Sequence, residues 1–328
     1  MNHVFCQLVQ IDELEALKIE HPLFSAVLLL QGAQLISFTP KSEPKNTSDI
    51  NLSNNLSNNP SNNLLWVSDR VEYKQGKPLR GGIPICWPWF GDLNKNPKDI
   101  QSQLPSAMAD SAGAHGFARN MLWDVRSIKE SCHSVDVVLG LSSNKKTKVH
   151  WPFEFDLEAH FVFSSRLELE LKTTNKGNNS FSFSQALHTY LPTKDIHKTY
   201  IHNAHNSRYI DAMDHWQEKI QGGRIGFSAE TDRIYFFDRN VSDKKDASDT
   251  NYELRVETPS RQLLVKSSNS QSAVIWNPWV KKSQGLSQFK PEDYTRMFCI
   301  ESANVMSNCK VLKPKQEHRL KLELSQRC

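Results

Sequence analysis

No glycine-rich phosphate loop occurs in this chain of 328 residues: neither G-x-x-x-x-G-K-[ST] nor G-x-G-x-x-G is present. Such loops bring backbone N–H groups onto the phosphates of a nucleotide, so their lack removes the usual nucleotide and dinucleotide readings. No C-x-x-C pair occurs either. Cys6, Cys86, Cys132, Cys299, Cys309 and Cys328 lie scattered, which reads as reduced, mostly buried thiols of a cytoplasmic protein. The longest apolar run near the start, Phe24 to Leu30, is far short of the roughly 20 residues that span a bilayer. The first residues show no basic region followed by a long apolar core, so no secretory leader and no membrane association is expected. No block of five or more like charges appears, and the formal net charge is only +4. Nucleic-acid binding usually shows as a concentrated basic patch, so no nucleic-acid partner is expected.

What the chain does have is period-two alternation. Arg166–Thr173 alternates apolar and polar residues, a polar turn follows, and Ser180–Leu191 alternates again. Together they read as a β-hairpin. Further strands are expected in segments 134–143, 155–165, 262–269 and 272–278. The best helical candidate is Asp12–His21, and it is short. Many strands with polar turns predict an all-β protein, a large antiparallel β-sandwich. With 38% hydrophobic and 23% charged residues, the composition is that of an ordinary globular protein, and one domain over residues 1–328 is expected. Residues 46–63 are nearly all Asn, Ser and Leu and read as a flexible loop insertion. Their glycosylation sequons at Asn46, Asn51 and Asn55 are not expected to be used without a leader. A second polar loop follows Asn240.

Several polar residues stand out. His188 shares its strand face with Ser182, Ser184, Ala186 and Tyr190, opposite Phe181, Phe183, Leu187 and Leu191. Small neighbours leave room for a ligand, although a solvent-exposed face would show the same pattern. Glu301 falls among Met297, Cys299, Ala303 and Val305. A carboxylate on an apolar face needs a partner. Either an arginine pairs with it, or burial raises its pKa toward a general base. Arg80 runs into Gly81 and Gly82, and His115 and Arg119 flank a Gly-Phe turn. A guanidinium beside glycine suits a bidentate anion contact. Trp87, Trp89 and Phe90 follow; they either fill the core or form an apolar wall for a ring. His197, His202 and His205 lie close in sequence but fit no zinc spacing. No metal and no cofactor is expected.

Taken together and in order, "LRGGIPICWPWFG", "AHGFARN", "ALHTYL", "ETDRIY" and "FCIESANV" resemble the glucose-6-phosphate 1-epimerase family, hexose-6-phosphate mutarotases related to aldose 1-epimerase. "WNPW" at Trp276–Trp279 is also in place. The resemblance implies a galactose mutarotase-like supersandwich and an isomerase that interconverts the anomers of a hexose 6-phosphate, glucose 6-phosphate first. It implies His188 as catalytic acid and Glu301 as catalytic base. Arg80 and Arg119 would hold the substrate, chiefly its phosphate. His115 would stand near the sugar ring, and Asp232 would contact its hydroxyls. Some relatives carry glutamine where this chain has Ala114, so one sugar contact is absent or moved. The Asn-rich insertion and the segment 280–293 depart from the family pattern and are expected to alter the site rim. The partner is a small sugar phosphate, and the protein is expected to act as a monomer. Two other functions share this frame: an aldose 1-epimerase acting on free sugars, and a non-catalytic carbohydrate-binding protein.

Overall fold

A computed structural model describes residues 3–41, 62–237 and 252–327. The sequons at Asn46, Asn51 and Asn55, nearly all of the Asn-rich insertion and most of the second polar loop lie outside the described residues.

Among the described residues, strands assemble into antiparallel sheets of nine, seven, four and two strands. The seven-stranded sheet runs, from edge to edge, Gln217–Ile220, Arg208–Asp211, Thr231–Phe236, Ser272–Asn277, Met297–Asn304, Gln185–Pro192 and Ile85–Cys86. The nine-stranded sheet includes Phe155–Phe163, Leu167–Asn175 and Glu317–Arg327. Side chains alternate across a strand, so each of these strands presents one face inward. The main core draws on the large sheets together: Leu28 and Phe38, Leu187, Ile275 and Ile300, and Phe161, Leu171 and Leu322. This is the sandwich that the alternation predicts.

Two local expectations differ from the structure. Asp12–His21 is not a helix. Leu14–His21 is a strand paired on one side with Cys6–Ile11 and on the other with Phe24–Leu29. Its apolar residues at 14, 16, 17 and 19 fit a helical stripe as well as a strand, and two pairing neighbours decide between them. The hairpin is also not formed. Leu167–Asn175 pairs with Phe155–Phe163 and Glu317–Arg327. Phe181–Phe183 pairs with Lys310–Leu312, and Gln185–Pro192 pairs with Met297–Asn304 and Ile85–Cys86. Period two defines a strand, not its partner.

The glycines after Arg80 serve packing of the backbone on itself, not on a ligand. Gly82 has φ +66, and a Cβ there would lie 2.1 Å from the Leu35 carbonyl oxygen. At Gly81 it would lie 2.4 Å from the Val67 Cα. Neither can carry a side chain. Trp87 and Trp89 fill the core, at 0% and 2% exposure. Trp87 packs against Phe117, Trp151 and Phe155.

Candidate active site

One face of the seven-stranded sheet points into the core, and the other floors a cavity of about 330 Å³. The register makes the floor. His188 stands directly opposite Glu301, and Glu301 stands opposite Val274 on its other side. Both strands alternate so that Leu187 and Ile300 face the core while His188 and Glu301 face the cavity. The imidazole Nε2 lies 3.4 Å from the Glu301 carboxylate Oε1. His188 is 8% exposed and Glu301 1%, so the solvent-exposed reading of the His188 face does not hold. His188 Nδ1 and Glu301 Oε2 are buried with no protein partner. Tyr190 stacks on the His188 ring at 4.7 Å, and Trp276 meets it edge-on at 6.1 Å.

Burial sets the protonation of this pair. It raises the Glu301 carboxyl well above its usual range, and the nearby Asp232 carboxylate adds to the rise. Burial also lowers the His188 imidazole to about 3, helped by the positive charges of Arg119 and Arg80. Both directions favour the uncharged pair, a protonated carboxyl facing a neutral imidazole, over the ion pair.

His115 comes from the opposite wall. It holds φ +66, and its backbone N–H donates to the Gly91 carbonyl at 2.8 Å. Its Nδ1 accepts from the Gly91 N–H at 3.2 Å. With Nδ1 an acceptor, Nε2 carries the proton of the neutral ring. Burial, then Arg119, His188 and Arg80, hold its pKa well below the usual value. Asp232, on the Thr231–Phe236 strand, lines the cavity too. Burial raises its pKa, while Lys282, 4.0 Å away, opposes the rise.

Arg80 lines the cavity, with Nη1 3.5 Å from the Tyr190 hydroxyl. Arg119 is not among the lining residues. Its Nη2 donates to the Ala114 carbonyl at 2.8 Å, which ties it to the turn carrying His115. Its charge still reaches His115 and His188. Of Trp87, Trp89 and Phe90, Phe90 reaches the cavity while the two tryptophans fill the core, which divides the three between the two roles open in the sequence. Ala114 lines the wall, and Lys282 and Leu286 bring segment 280–293 to the rim.

Lys95, Asn96, Trp216 and Trp276 also line this cavity. Lys95, Asn96 and Trp216 were not singled out from sequence, because each comes from a segment whose position only the fold defines; Trp276 belongs to the "WNPW" segment. Trp216 alone gives a signal afterwards, since a large aromatic 40% exposed at the tip of a hairpin invites attention.

The histidines near residue 200 have separate contacts. His202 pairs with Glu257 at 2.9 Å, His205 accepts from the Gly223 N–H, and His197 meets the Trp279 ring. No group of three or more His, Cys, Asp or Glu able to hold a metal exists among the described residues. The described cysteines are free thiols, with Cys132 exposed. A larger groove of about 610 Å³ lies on the nine-stranded sheet. Its charges pair with one another, as in Lys321–Glu170 and Lys266–Glu323, and no buried acid–base pair faces it.

A sandwich of this topology is a galactose mutarotase-like fold. The family model "Aldose 1-epimerase" matches residues 15–325, and the chain belongs to that family. It is 30% identical over 310 residues to an Escherichia coli protein named "Putative glucose-6-phosphate 1-epimerase", covering 94% of this chain and 90% of that one. A Salmonella typhimurium protein of the same name is 30% identical over 294 residues, 89% of this chain and 84% of its own length. The crystal structure of a "putative mutarotase" from Salmonella typhimurium superposes with a TM-score of 0.78 at 25% identity, over 99% of this chain and 95% of that one. A galactose mutarotase-like protein from Lactobacillus casei shares the fold, with a TM-score of 0.65 at 16% identity over 95% and 100%. No helix among the described residues is long and apolar enough to cross a membrane.

Proposed function

We propose that this protein interconverts the α and β anomers of a hexose 6-phosphate, glucose 6-phosphate first, with His188 and Glu301 as the acid–base pair. The observation that carries the reading is the pair itself: two buried titratable groups 3.4 Å apart on a cavity floor, each keeping one unpartnered polar atom. An unmet buried polar group costs about 1–3 kcal/mol, so a site that keeps two of them is built to meet a ligand.

Mutarotation needs one proton taken and one given. Ionised Glu301 takes the proton of the anomeric hydroxyl while protonated His188 gives one to the ring oxygen. The ring C1–O5 bond breaks, and C1 becomes an aldehyde. Glu301 is then protonated and His188 neutral, the state that burial favours. Rotation about C1–C2 turns the other aldehyde face to O5. Closure returns both protons and gives the other anomer. The closed sugar therefore reacts once the shared proton has passed from Glu301 to His188.

His115 donates Nε2–H to the sugar, and Asp232 accepts from its hydroxyls. Among the described residues Arg80 has only the long Tyr190 contact and lines the cavity, so its donors are available to the substrate anion. Arg119 acts through the Ala114 turn and through its charge. A cytoplasmic location and action as a monomer go with this reading. It is supported by the family, by the names of the two relatives and by Arg80 in the cavity wall. Exchange NMR on glucose 6-phosphate and on glucose tests it. Catalysed exchange of glucose 6-phosphate is expected to exceed that of glucose clearly. Equal rates on both would leave an aldose 1-epimerase, and no acceleration of either would leave a carbohydrate-binding protein.

A further inference from the structure

We infer that Tyr190 is a positioning residue of this site: its ring, stacked on the His188 imidazole, holds the plane of that imidazole toward Glu301. The inference rests on the acid–base reading of the pair above and adds the residue that orients the acid.

An imidazole that gives and takes a proton at one nitrogen must keep a single orientation. The common device is a hydrogen bond from the other ring nitrogen to a carbonyl or a carboxylate. His188 lacks it, because its Nδ1 is buried with no protein partner. Its Nε2 lies 3.4 Å from Glu301 Oε1, which is long for a hydrogen bond. The torsion that turns the ring is broad and does not choose an angle by itself. Orientation therefore falls to packing, and three aromatic rings lie against His188. Trp276 and His115 meet it edge-on, at 6.1 and 5.6 Å, with interplanar angles of 77° and 64°. Of the three, Tyr190 is the one that lies parallel, its centroid 4.7 Å away and its plane within 9°. A parallel ring at that distance covers a face of the imidazole, so turning the imidazole drives its edge into a packed neighbour.

Tyr190 is itself held by the fold. Alternation along Gln185–Pro192 puts residues 188 and 190 on one strand face. The Tyr190 N–H donates to the Gly82 carbonyl at 2.9 Å, and its carbonyl accepts from the Trp66 N–H at 3.0 Å. Tyr190 is 3% exposed. Its ring stacks with Trp66 at 5.9 Å and meets Trp276 edge-on at 6.2 Å. Phe289, Met297 and Cys299 belong to the same packed cluster. His115 and Trp276 line the cavity, but Tyr190 is not among the lining residues. Tyr190 therefore acts on the reaction through His188 and not by touching the sugar. Its hydroxyl accepts from Arg80 Nη1 at 3.5 Å, so the ring and the hydroxyl can be separated by substitution.

The test uses the full chain. Exchange NMR gives kcat and KM on glucose 6-phosphate and on glucose. Carbon-13 relaxation of histidine-labelled protein reports the mobility of the His188 ring, whose signals are identified by their loss in His188→Ala. Tyr190→Leu removes the aromatic plane and keeps an apolar side chain; Tyr190→Phe keeps the plane and removes the hydroxyl. A misdirected proton donor costs turnover rather than binding. Tyr190→Leu should therefore lower kcat by about tenfold to a hundredfold with KM little changed. The factor should be the same on each sugar that the wild type exchanges. The His188 ring should be mobile in Tyr190→Leu and ordered in wild type and Tyr190→Phe, and Tyr190→Phe should recover most of kcat. If Tyr190→Leu does not fold, Tyr190→Met, whose flexible chain fills irregular space without a plane, takes its place. An ordered His188 ring or a wild-type kcat in the leucine variant overturns the assignment. Equal losses in Tyr190→Phe and Tyr190→Leu overturn it too, since they give the effect to the hydroxyl and its Arg80 contact. A wild-type protein that exchanges neither sugar overturns the acid–base reading instead, and the ring mobility then decides the stack by itself.

Discussion

The His188 imidazole and the Glu301 carboxylate face each other from directly paired positions of two antiparallel strands, Nε2 to Oε1 at 3.4 Å, with one buried atom on each left without a partner. The cavity opens on both. Removing either should stop the reaction without unfolding the sandwich. His188→Ala or Glu301→Gln should each lower the mutarotation rate by roughly two to four orders of magnitude. Exchange NMR gives the rate, and an unaltered far-UV circular dichroism spectrum verifies the fold. A Glu301→Gln protein that turns over at the wild-type rate would refute the base.

The same pair sets a dependence of stability on pH. The Glu301 pKa is raised above its ordinary 4.5 by burial. Below pH 4.5 the group is protonated in both folded and unfolded chains. As pH rises through 4.5 the unfolded chain ionises first, so the folded state loses stability up to the folded pKa. Glu301→Gln removes this loss. The variant should melt higher than wild type at pH 7–8, with a smaller difference near pH 4. His188 works in the opposite sense, because its pKa falls from 6.5 to about 3. Its neutral form stabilises the fold above pH 6.5, and that contribution is lost as pH falls toward 3. Melting curves of both proteins across pH 4–8 check the signs; a Gln variant less stable at neutral pH would contradict the buried-acid account.

Arg80 and Arg119 should behave differently although both belong to glycine-containing motifs. Arg80→Ala should weaken glucose 6-phosphate binding by about tenfold to a hundredfold, the worth of one charge-assisted hydrogen bond, with less effect on glucose. Lysine there should restore part of the loss, since it lacks the planar fork. Arg119→Ala frees the Ala114 carbonyl and loosens the His115 turn, so it should depress activity on both sugars alike. Substrate-dependent loss in Arg119→Ala would place its guanidinium on the phosphate instead.

Gly82 should tolerate no side chain. With φ +66 and the Leu35 oxygen 2.1 Å from the would-be Cβ, Gly82→Ala must move the strand that carries Leu35. A destabilisation of well over 1 kcal/mol is expected, measured by urea unfolding. Gly91→Ala is the comparison, since it shares positive φ but has open space around it. Equal loss in the two would mean that conformation, not the close approach, sets the requirement.

Activity should persist after exhaustive chelation. The chemistry above needs one proton on the pair, and His197, His202 and His205 have contacts of their own. Restoration of a chelated enzyme by one particular divalent ion would overturn this.

The sequence by itself determined the strands and the chemistry-bearing side chains. Alternation over Gln185–Pro192 and Met297–Asn304 puts His188 and Glu301 on defined faces, because a strand repeats every second residue whatever it pairs with. Five ordered motifs then pointed to one family, and the fold agrees. Alternation does not say which strands pair, so the Arg166–Leu191 hairpin did not form and the helical reading of Asp12–His21 gave way to pairing on both sides. Nor does it give depth. That the His188 face is buried and that the Trp87 and Trp89 rings sit in the core both depend on what packs from the rest of the chain. Lys95 and Trp216 lie 121 residues apart in the sequence, and neither belongs to a motif. Only the docking of one loop and one hairpin across the same cavity brings them together, because a site between distant segments is defined by long-range packing rather than by local pattern.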